Sequence, residues 1–245
     1  MSFMINECSV VFPLYNEQNR VQKLVDQLVL DVDSNSKNYE IIFVLDGCVD
    51  KTFEYLTQRL KNNSTLSHTI SVLETNLGKG GAIRYGFSIA KYDNLAFLDA
   101  DLSIGIEDLS NALEKFKNIS SAGLLVAQRQ NVLQNKGHLN QQRRWASFFF
   151  RWLVSKLFFE KIIDTQAPLK IVRREKFKKV ENSLKEKGYL FDIELYLEMK
   201  KNNFQIIEYP VLFWLNKDES KIRLFRDSVK MLKGIFVLKY RYMKK

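Results

Sequence analysis

Short unbroken apolar runs alternate, through the first half of the chain, with stretches in which apolar residues recur every three or four positions. Cys8 to Leu14 (CSVVFPL) is a β-rich run ending near Pro13, and Val21 to Leu30 repeats apolar residues at helical spacing, so the pattern predicts strand, loop, helix. Tyr39 to Leu45 (YEIIFVL) predicts a second buried strand, after which the Asp46-Gly47 turn and Asp50 lead into a helix over Lys51 to Lys61. The same rhythm continues with strands at Ile70 to Glu74, Asn94 to Leu98 and Leu124 to Gln128, and helices at Gly80 to Lys91 and Glu107 to Asn118. Strands alternating with helices at this spacing predict an α/β fold with a mostly parallel sheet covered on both faces. Ligands then belong at the carboxyl ends of the strands, where the polar motifs of this chain sit.

The second half changes character. In RRWASFFFRWLVSKLFFEK (Arg143 to Lys161) basic residues interleave a very apolar helix; Arg151 and Lys156 fall inside it, which excludes a span of about 20 mainly apolar residues. Two readings stand: an interfacial helix with aromatics in the acyl boundary, or a core helix whose charged heads reach water. The C-terminal SKIRLFRDSVKMLKGIFVLKYRYMKK raises the same pair of alternatives.

Charge sharpens this division. Residues 1 to 136 carry 13 basic and 16 acidic groups and residues 137 to 245 carry 25 and 12, so a half at −3 adjoins one at +13. A half this basic predicts a polyanionic partner, nucleic acid or an anionic membrane surface, against the plain alternative of a solvated basic face. With 46% hydrophobic residues, 3 Pro, 10 Gly and no linker, the 245 residues read as a single domain with a specialised C-terminal part. Cys8 and Cys48 have no metal-ligand spacing and suggest no disulfide framework, and MSFMINECSV is not a secretory signal, so a cytoplasmic protein is expected.

Candidate chemistry gathers where the strands end. Asp99-Ala100-Asp101 follows NLAFL, and two hard carboxylates at that place could hold Mg²⁺ or Mn²⁺, which bridges and neutralises a diphosphate. Asp46 and Asp50 could accept hydrogen bonds from a base or a ribose hydroxyl, or serve merely as turn and N-cap. Pro13, Tyr15, Asn16 and Glu17 offer an aromatic face and polar groups to the same crevice. The NLGKGG run (Asn76 to Gly81) has neither the Walker nor the Rossmann glycine spacing, yet a glycine-rich turn with Lys79 at a helix start can approach a nucleotide closely.

VVFPLYNE, VLDGCVD, NLGKGGAIRYGF and the post-strand DAD stand in the order and spacing of glycosyltransferase family 2, which the chain resembles. DTQAPLK, YLFDIELY and SKIRLFRDSVKML are similar to the corresponding segments of dolichyl-phosphate β-glucosyltransferases and bacterial polyprenyl-phosphate relatives, so the resemblance covers nearly the whole chain. It implies a GT-A fold, a UDP- or GDP-sugar donor and inversion at the anomeric centre. It also implies a division into a nucleotide-sugar-binding part (1 to 136) and an acceptor- and membrane-facing part (137 to 245).

Carried over by motif, Pro13, Tyr15, Glu17, Asp46, Lys79, Gly80, Asp99 and Ala100 line the nucleotide-sugar site. Asp101 is the principal metal ligand with Asp99 beside it, and Asp164, Gln166, Asp192 and Glu194 lie around donor sugar and acceptor. Ala167-Pro168-Leu169 stands where the family often has Cys-Gly-Phe, and eukaryotic members carry an N-terminal anchor not found here, so membrane attachment is expected from the basic half, at the inner face.

The reaction implied is a single displacement in which the metal and a basic side chain such as Arg129 stabilise the departing diphosphate. A lipid phosphate acceptor needs cations to position it, for which Arg143, Arg144, Lys221 and Arg223 are candidates; a sugar hydroxyl needs a general base, for which Asp192 is the candidate unless it is a helix N-cap. UDP-glucose is the favoured donor and GDP-mannose remains open. Transfer to a hydroxyl of a surface glycan is the alternative within the class, and a basic nucleic-acid-binding module the alternative outside it; the clustered strand-end acids favour the enzyme, and no nucleic acid is expected.

Overall fold

The structure is a computed structural model that describes residues 8–35, 39–61, 66–101, 104–130, 141–158, 164, 167–212 and 224–243, with the backbone alone at 31–35, 106, 130, 141–148, 151, 212, 224–230 and 243. Seven strands form one sheet: β1 (Cys8–Leu14), β2 (Tyr39–Asp46), β3 (His68–Leu73), β4 (Asn94–Leu98), β5 (Ala122–Gln130), β6 (Leu169–Arg173) and β7 (Gln205–Leu212). Their order across the sheet is β3-β2-β1-β4-β6-β5-β7, and all pairings are parallel except the two made by β6. The strands expected from the apolar runs are present, with ends shifted by a few residues. The apolar runs predict neither β6 nor β7, and the mostly parallel sheet contains one reversed strand, β6, between β4 and β5.

Strand alternation feeds two cores. In β1 the side chains of Cys8, Val10, Phe12 and Leu14 enter the core under helices α1 (Val21–Asn35), α2 (Thr52–Lys61) and α4 (Ile106–Lys117), while Val11 faces the opposite side. That opposite core is closed by α3 (Lys79–Ile89), α6 (Arg174–Val180) and α7 (Phe191–Lys201). Helix α1 shows why such segments fold: Val21, Leu24, Val25 and Leu28, at spacings of three and four, are all buried, each contributing about 1.5–3 kcal/mol relative to exposure. Replacing Leu24 by Ala would therefore cost about 2–5 kcal/mol. Ser9 and Glu40 are among the polar side chains inside this frame, and they are paired, as a dry interior favours. Ser9 Oγ donates to Glu40 Oε2 over 2.6 Å, and Glu40 Oε2 also accepts the Lys91 amide at 2.7 Å.

The basic half adds a third, smaller cluster. Val154 of α5 (Gln141–Phe158), Leu190, Ile193 and Leu197 around α7, and Ile235 and Leu238 of α8 (Leu224–Met243) pack together. The two basic helices therefore each carry a packed face and an exposed one. Phe150 and Leu157 pack inward, whereas Phe149 and Trp152 stand outside with ring centroids 5.8 Å apart, and Phe236, Val237 and Tyr240 are exposed on α8. Among the described residues no helix is long and apolar enough to cross a membrane.

Candidate active site

The loops after β1 and β2 are fixed to each other by short polar contacts. Asn16, in the left-handed region at φ 55°, accepts the Val49 amide on Oδ1 at 2.9 Å, and Cys48 donates to the Leu14 carbonyl. Asp50 takes the N-cap role: its Oδ1 accepts the Thr52 amide at 3.0 Å and the Thr52 hydroxyl, and its Oδ2 the Gln18 amide at 3.2 Å. Pro13 ends β1, Glu17 pairs with Arg20 at 3.5 Å, and Tyr15 keeps 47% of its surface open beside them. The Tyr15 ring is therefore an exposed aromatic surface beside the carboxyl end of β1.

Asp46, the last residue of β2, is 3% exposed, and both its oxygens face the glycine loop. Oδ1 accepts the Leu77 amide at 2.6 Å and Oδ2 the Gly78 amide at 2.8 Å. Burial pushes this carboxyl up and the two amides pull it down, with burial prevailing. The carboxylate expected to read a base or ribose is here engaged with loop backbone. The glycines, too, serve a contact within the chain. A Cβ on Gly78 (φ 81°) would lie 2.5 Å from the Lys187 carbonyl oxygen, one on Gly80 would lie 2.6 Å from Phe191 Cβ, and the Gly80 amide donates to Lys187 at 2.7 Å. The close approach these residues permit is to the segment before α7, and it presents Lys79 at the first turn of α3.

Lys79 begins a line of charges whose inner members, Asp192 and Lys170, are buried. Its Nζ lies 2.9 Å from Asp99 Oδ1 and 3.2 Å from Asp192 Oδ2; Asp192 Oδ1 in turn lies 2.6 Å from Lys170 Nζ, which also donates to the Ala167 carbonyl. Strand geometry aligns them. Phe97 and Asp99 leave β4 on the same side, Lys170 of β6 sits in register with Phe97, and both ammonium groups lie over the Phe97 ring at 5.6 and 5.4 Å.

The alternative of Asp192 as N-cap is overturned. Leu190 occupies that position, and Asp192 sits inside the first turn, 3% exposed, between two lysines. Burial alone would raise the Asp192 carboxyl, but Lys170 and Lys79 outweigh it and hold the group below the usual carboxylate range. Burial likewise opposes the Lys79 charge, and Asp192 and Asp99 more than restore it. Asp99 is pushed up by burial, against Lys79, with Asp192 and Asp101 adding to the rise.

Arg129, at the end of β5, grips Asp164 with two parallel hydrogen bonds, Nε to Oδ2 and Nη2 to Oδ1 at 2.7 Å. Burial disfavours the guanidinium charge; Asp164, and more weakly Asp99 and Asp101, hold it in place. The strand-end acids, Lys79, Arg129, Asp164 and Asp192 are thus brought into one constellation, with Ala100 buried between the two acids. Among the described residues no three or more His, Cys, Asp or Glu side chains are placed so that together they could hold a metal ion. Asp99 is turned to Lys79, and Asp101 is the second strand-end carboxylate. Mg²⁺ is commonly held by one or two carboxylates, its shell completed by substrate phosphates and water, so a site of one or two acids is chemically compatible with it.

Gln166, Lys221 and Arg223 lie outside the described residues, as do the side chains of Arg143 and Arg144, whose backbone belongs to α5. Two participants were missed. Lys170, 1% exposed, was passed over as part of a motif, although a lone charge inside the apolar run LKIV is the signal of a paired buried lysine. Arg241 stands in the basic C-terminal segment, where nothing in the local pattern sets it apart. Glu194 is fully buried and lies 2.7 Å from Arg241, on a side of α7 away from Asp192.

Comparison with known proteins gives the chain a family and a fold. The profile described as "Glycosyl transferase family 2" matches residues 9–181. A dolichyl-phosphate beta-glucosyltransferase of Dictyostelium discoideum is 27% identical over 248 residues, covering 96% of this chain and 74% of that protein. The protein of the same description from Saccharomyces cerevisiae is 28% identical, with coverage of 96% and 75%. Among solved structures, glucosyl-3-phosphoglycerate synthase from Mycobacterium tuberculosis, in complex with Mn²⁺, uridine diphosphate and glucosyl-3-phosphoglycerate, superposes with a TM-score of 0.70 at 14% identity, covering 95% of this chain and 79% of that one. At that identity the likeness shows the fold, which is GT-A.

Proposed function

This chain belongs to glycosyl transferase family 2, and from that membership we propose that it transfers glucose from UDP-glucose to a polyprenyl phosphate, with inversion at the anomeric carbon. Membership makes it an enzyme, a glycosyltransferase. The observation that carries the acceptor is the state of Asp192. A general base must be free to take a proton and have a pKa near the working pH, whereas Asp192 is locked between Lys170 and Lys79 and held low. Of the other acids expected near the acceptor, Asp164 has each oxygen engaged by Arg129, and Glu194 has its oxygens taken by Arg241 and two backbone amides. Such a site suits a nucleophile that arrives already ionised, and a phosphate monoester, with a second pKa of about 6, does so. The acceptor in the relatives' names is of that kind.

In the reaction, a phosphate oxygen attacks the anomeric carbon as the bond from that carbon to the diphosphate breaks, and the electron pair leaves with the β-phosphate oxygen. Arg129, oriented by Asp164 and facing the strand-end acids, supplies positive charge where negative charge develops. A divalent ion bound by Asp101, with Asp99 beside it, would add Lewis-acid neutralisation of the diphosphate. Lys79 holds Asp99 and Asp192 in place and favours the charged form of each, while Tyr15 offers its ring to the base. Pro13, Glu17, Asp46 and Gly80 complete the donor pocket by shaping its loops. Gln166 is assigned to the donor sugar.

The lipid acceptor is met at a membrane surface. Phe149 and Trp152 of α5, with Phe236 and Tyr240 of α8, offer aromatic surface, and Lys156 and Lys233 are exposed nearby along the same helices. Arg143, Arg144, Lys221 and Arg223 are assigned to the acceptor phosphate, which places the enzyme peripherally at the inner face. The test is a transfer assay with purified protein, UDP- and GDP-sugars, short-chain polyprenyl phosphate, and Mg²⁺, Mn²⁺ or chelator. Label extracted with lipid from UDP-glucose, lost on chelation, is the expected result. Label from GDP-mannose alone would move the donor, and no labelled lipid from any donor would overturn the proposal.

A further inference from the structure

The last turn of α8 is wired to the loop that presents Lys79, through groups that touch neither acid of the strand end. Arg241 Nη1 lies 2.7 Å from Glu194 Oε1, and its Nη2 lies 3.4 Å from Glu186 Oε1. The second oxygen of Glu194 accepts the backbone amides of Lys185 and Glu186, each at 2.7 Å. One residue further on, the Lys187 carbonyl accepts the amides of Gly80 at 2.7 Å and Gly81 at 3.3 Å, the first turn of α3. Arg84 of the same helix holds the other end of the segment, donating to the Leu184 carbonyl at 2.7 Å. Residues 184–188 have no regular secondary structure, so their position depends on these bonds.

A fully buried carboxylate is costly unless paired, and removal of its partner charge leaves it uncompensated. Glu194 spends its two oxygens on one guanidinium and two loop amides, and thereby ties the segment to α8. About two turns earlier α8 also approaches the start of α7 closely: a Cβ on Gly234 would lie 2.2 Å from Leu190 Cδ1. A neighbouring bond, Tyr242 Oη to Glu198 Oε1 at 2.7 Å, joins the same two helices but leads to no loop.

We infer that Arg241 and Glu194 are positioning residues for Lys79: the C-terminal helix, through Glu194 and the 184–188 segment, fixes the α3 N-terminus on which the Lys79–Asp99–Asp192 line depends. The inference rests on the transferase reading for its kinetic consequence but not for its structural one. A displacement of about 1 Å in such an arrangement costs on the order of 10²-fold in rate, so partial release of the loop should cost about 10-fold.

The experiment compares Arg241→Ala, Arg241→Lys and Tyr242→Phe in the full chain, by transfer kinetics and by hydrogen exchange of residues 76–84. Arg241→Ala should lower kcat about 10-fold and speed exchange at Gly80 and Gly81, Arg241→Lys should restore most of both, and Tyr242→Phe should change neither. Unaltered exchange and kcat in Arg241→Ala, or an equal loss in Tyr242→Phe, would overturn the inference, since α8 would then act by general packing. If the unaltered chain transfers no sugar, the acceptor reading fails while the exchange comparison still decides the relay.

Discussion

Beside β1 and β2 the polar groups of the crevice are held by backbone amides and short side chains: Asp50 caps α2, Asn16 takes the Val49 amide, and Asp46 takes two amides of the glycine loop. Beside β6 and α7 they are held by buried charge, with Lys170, Asp192 and Lys79 in line and Arg129 clasping Asp164. The first region resembles a scaffold that could be loosened one bond at a time. In the second, each charge is the reason its neighbour can remain charged in a dry place, so single removals should propagate.

The largest effect is therefore expected at the centre of the charged line. Asp192→Asn leaves two buried ammonium groups without their shared carboxylate and should destabilise the chain by about 3–5 kcal/mol in denaturant unfolding. Because its folded-state pKa lies below the unfolded value, the stability Asp192 contributes is present above the usual carboxylate range and is lost as pH falls through the depressed value. The variant should accordingly show a shallower loss of stability on acidification than the parent chain. An unfolding free energy within about 1 kcal/mol of the parent would place the charges outside the energetics of the fold.

Arg129→Ala comes next. It should lower kcat for transfer by about 10²–10³-fold, the range for removal of one preorganised donor to a developing anion, with nucleotide binding altered far less. The smallest effect belongs to the scaffold side: Asp50→Ala removes an N-cap and should cost about 1 kcal/mol, read as a modest drop in melting temperature with kcat retained. A larger cost at Asp50 than at Asp192 would reverse the contrast between the two regions.

The parts of this arrangement that were legible in the sequence are those written in local pattern. β1, β2, β4 and the helices between them follow from apolar rhythm, and the strand-end Asp99 and Asp101 follow from their place after NLAFL. What escaped is non-local. β6 is five residues long, carries Lys170 within it and inserts antiparallel between β4 and β5, and no local period announces that order. Asp192 before a helical run reads as a cap until β6 and α3 bring two lysines to it. The glycines of NLGKGG suggest a ligand, whereas their neighbours are Lys187 and Phe191, a hundred residues away along the chain.

The most direct test of the account is a comparison of two acceptors of equal chain length, a polyprenyl phosphate and the corresponding polyprenol, with labelled UDP-glucose and Mn²⁺. An ionised acceptor makes a base unnecessary, so the account predicts label in the phosphate lipid and none in the alcohol. Labelled alcohol at a comparable rate would contradict it and return Asp192 to the part of general base.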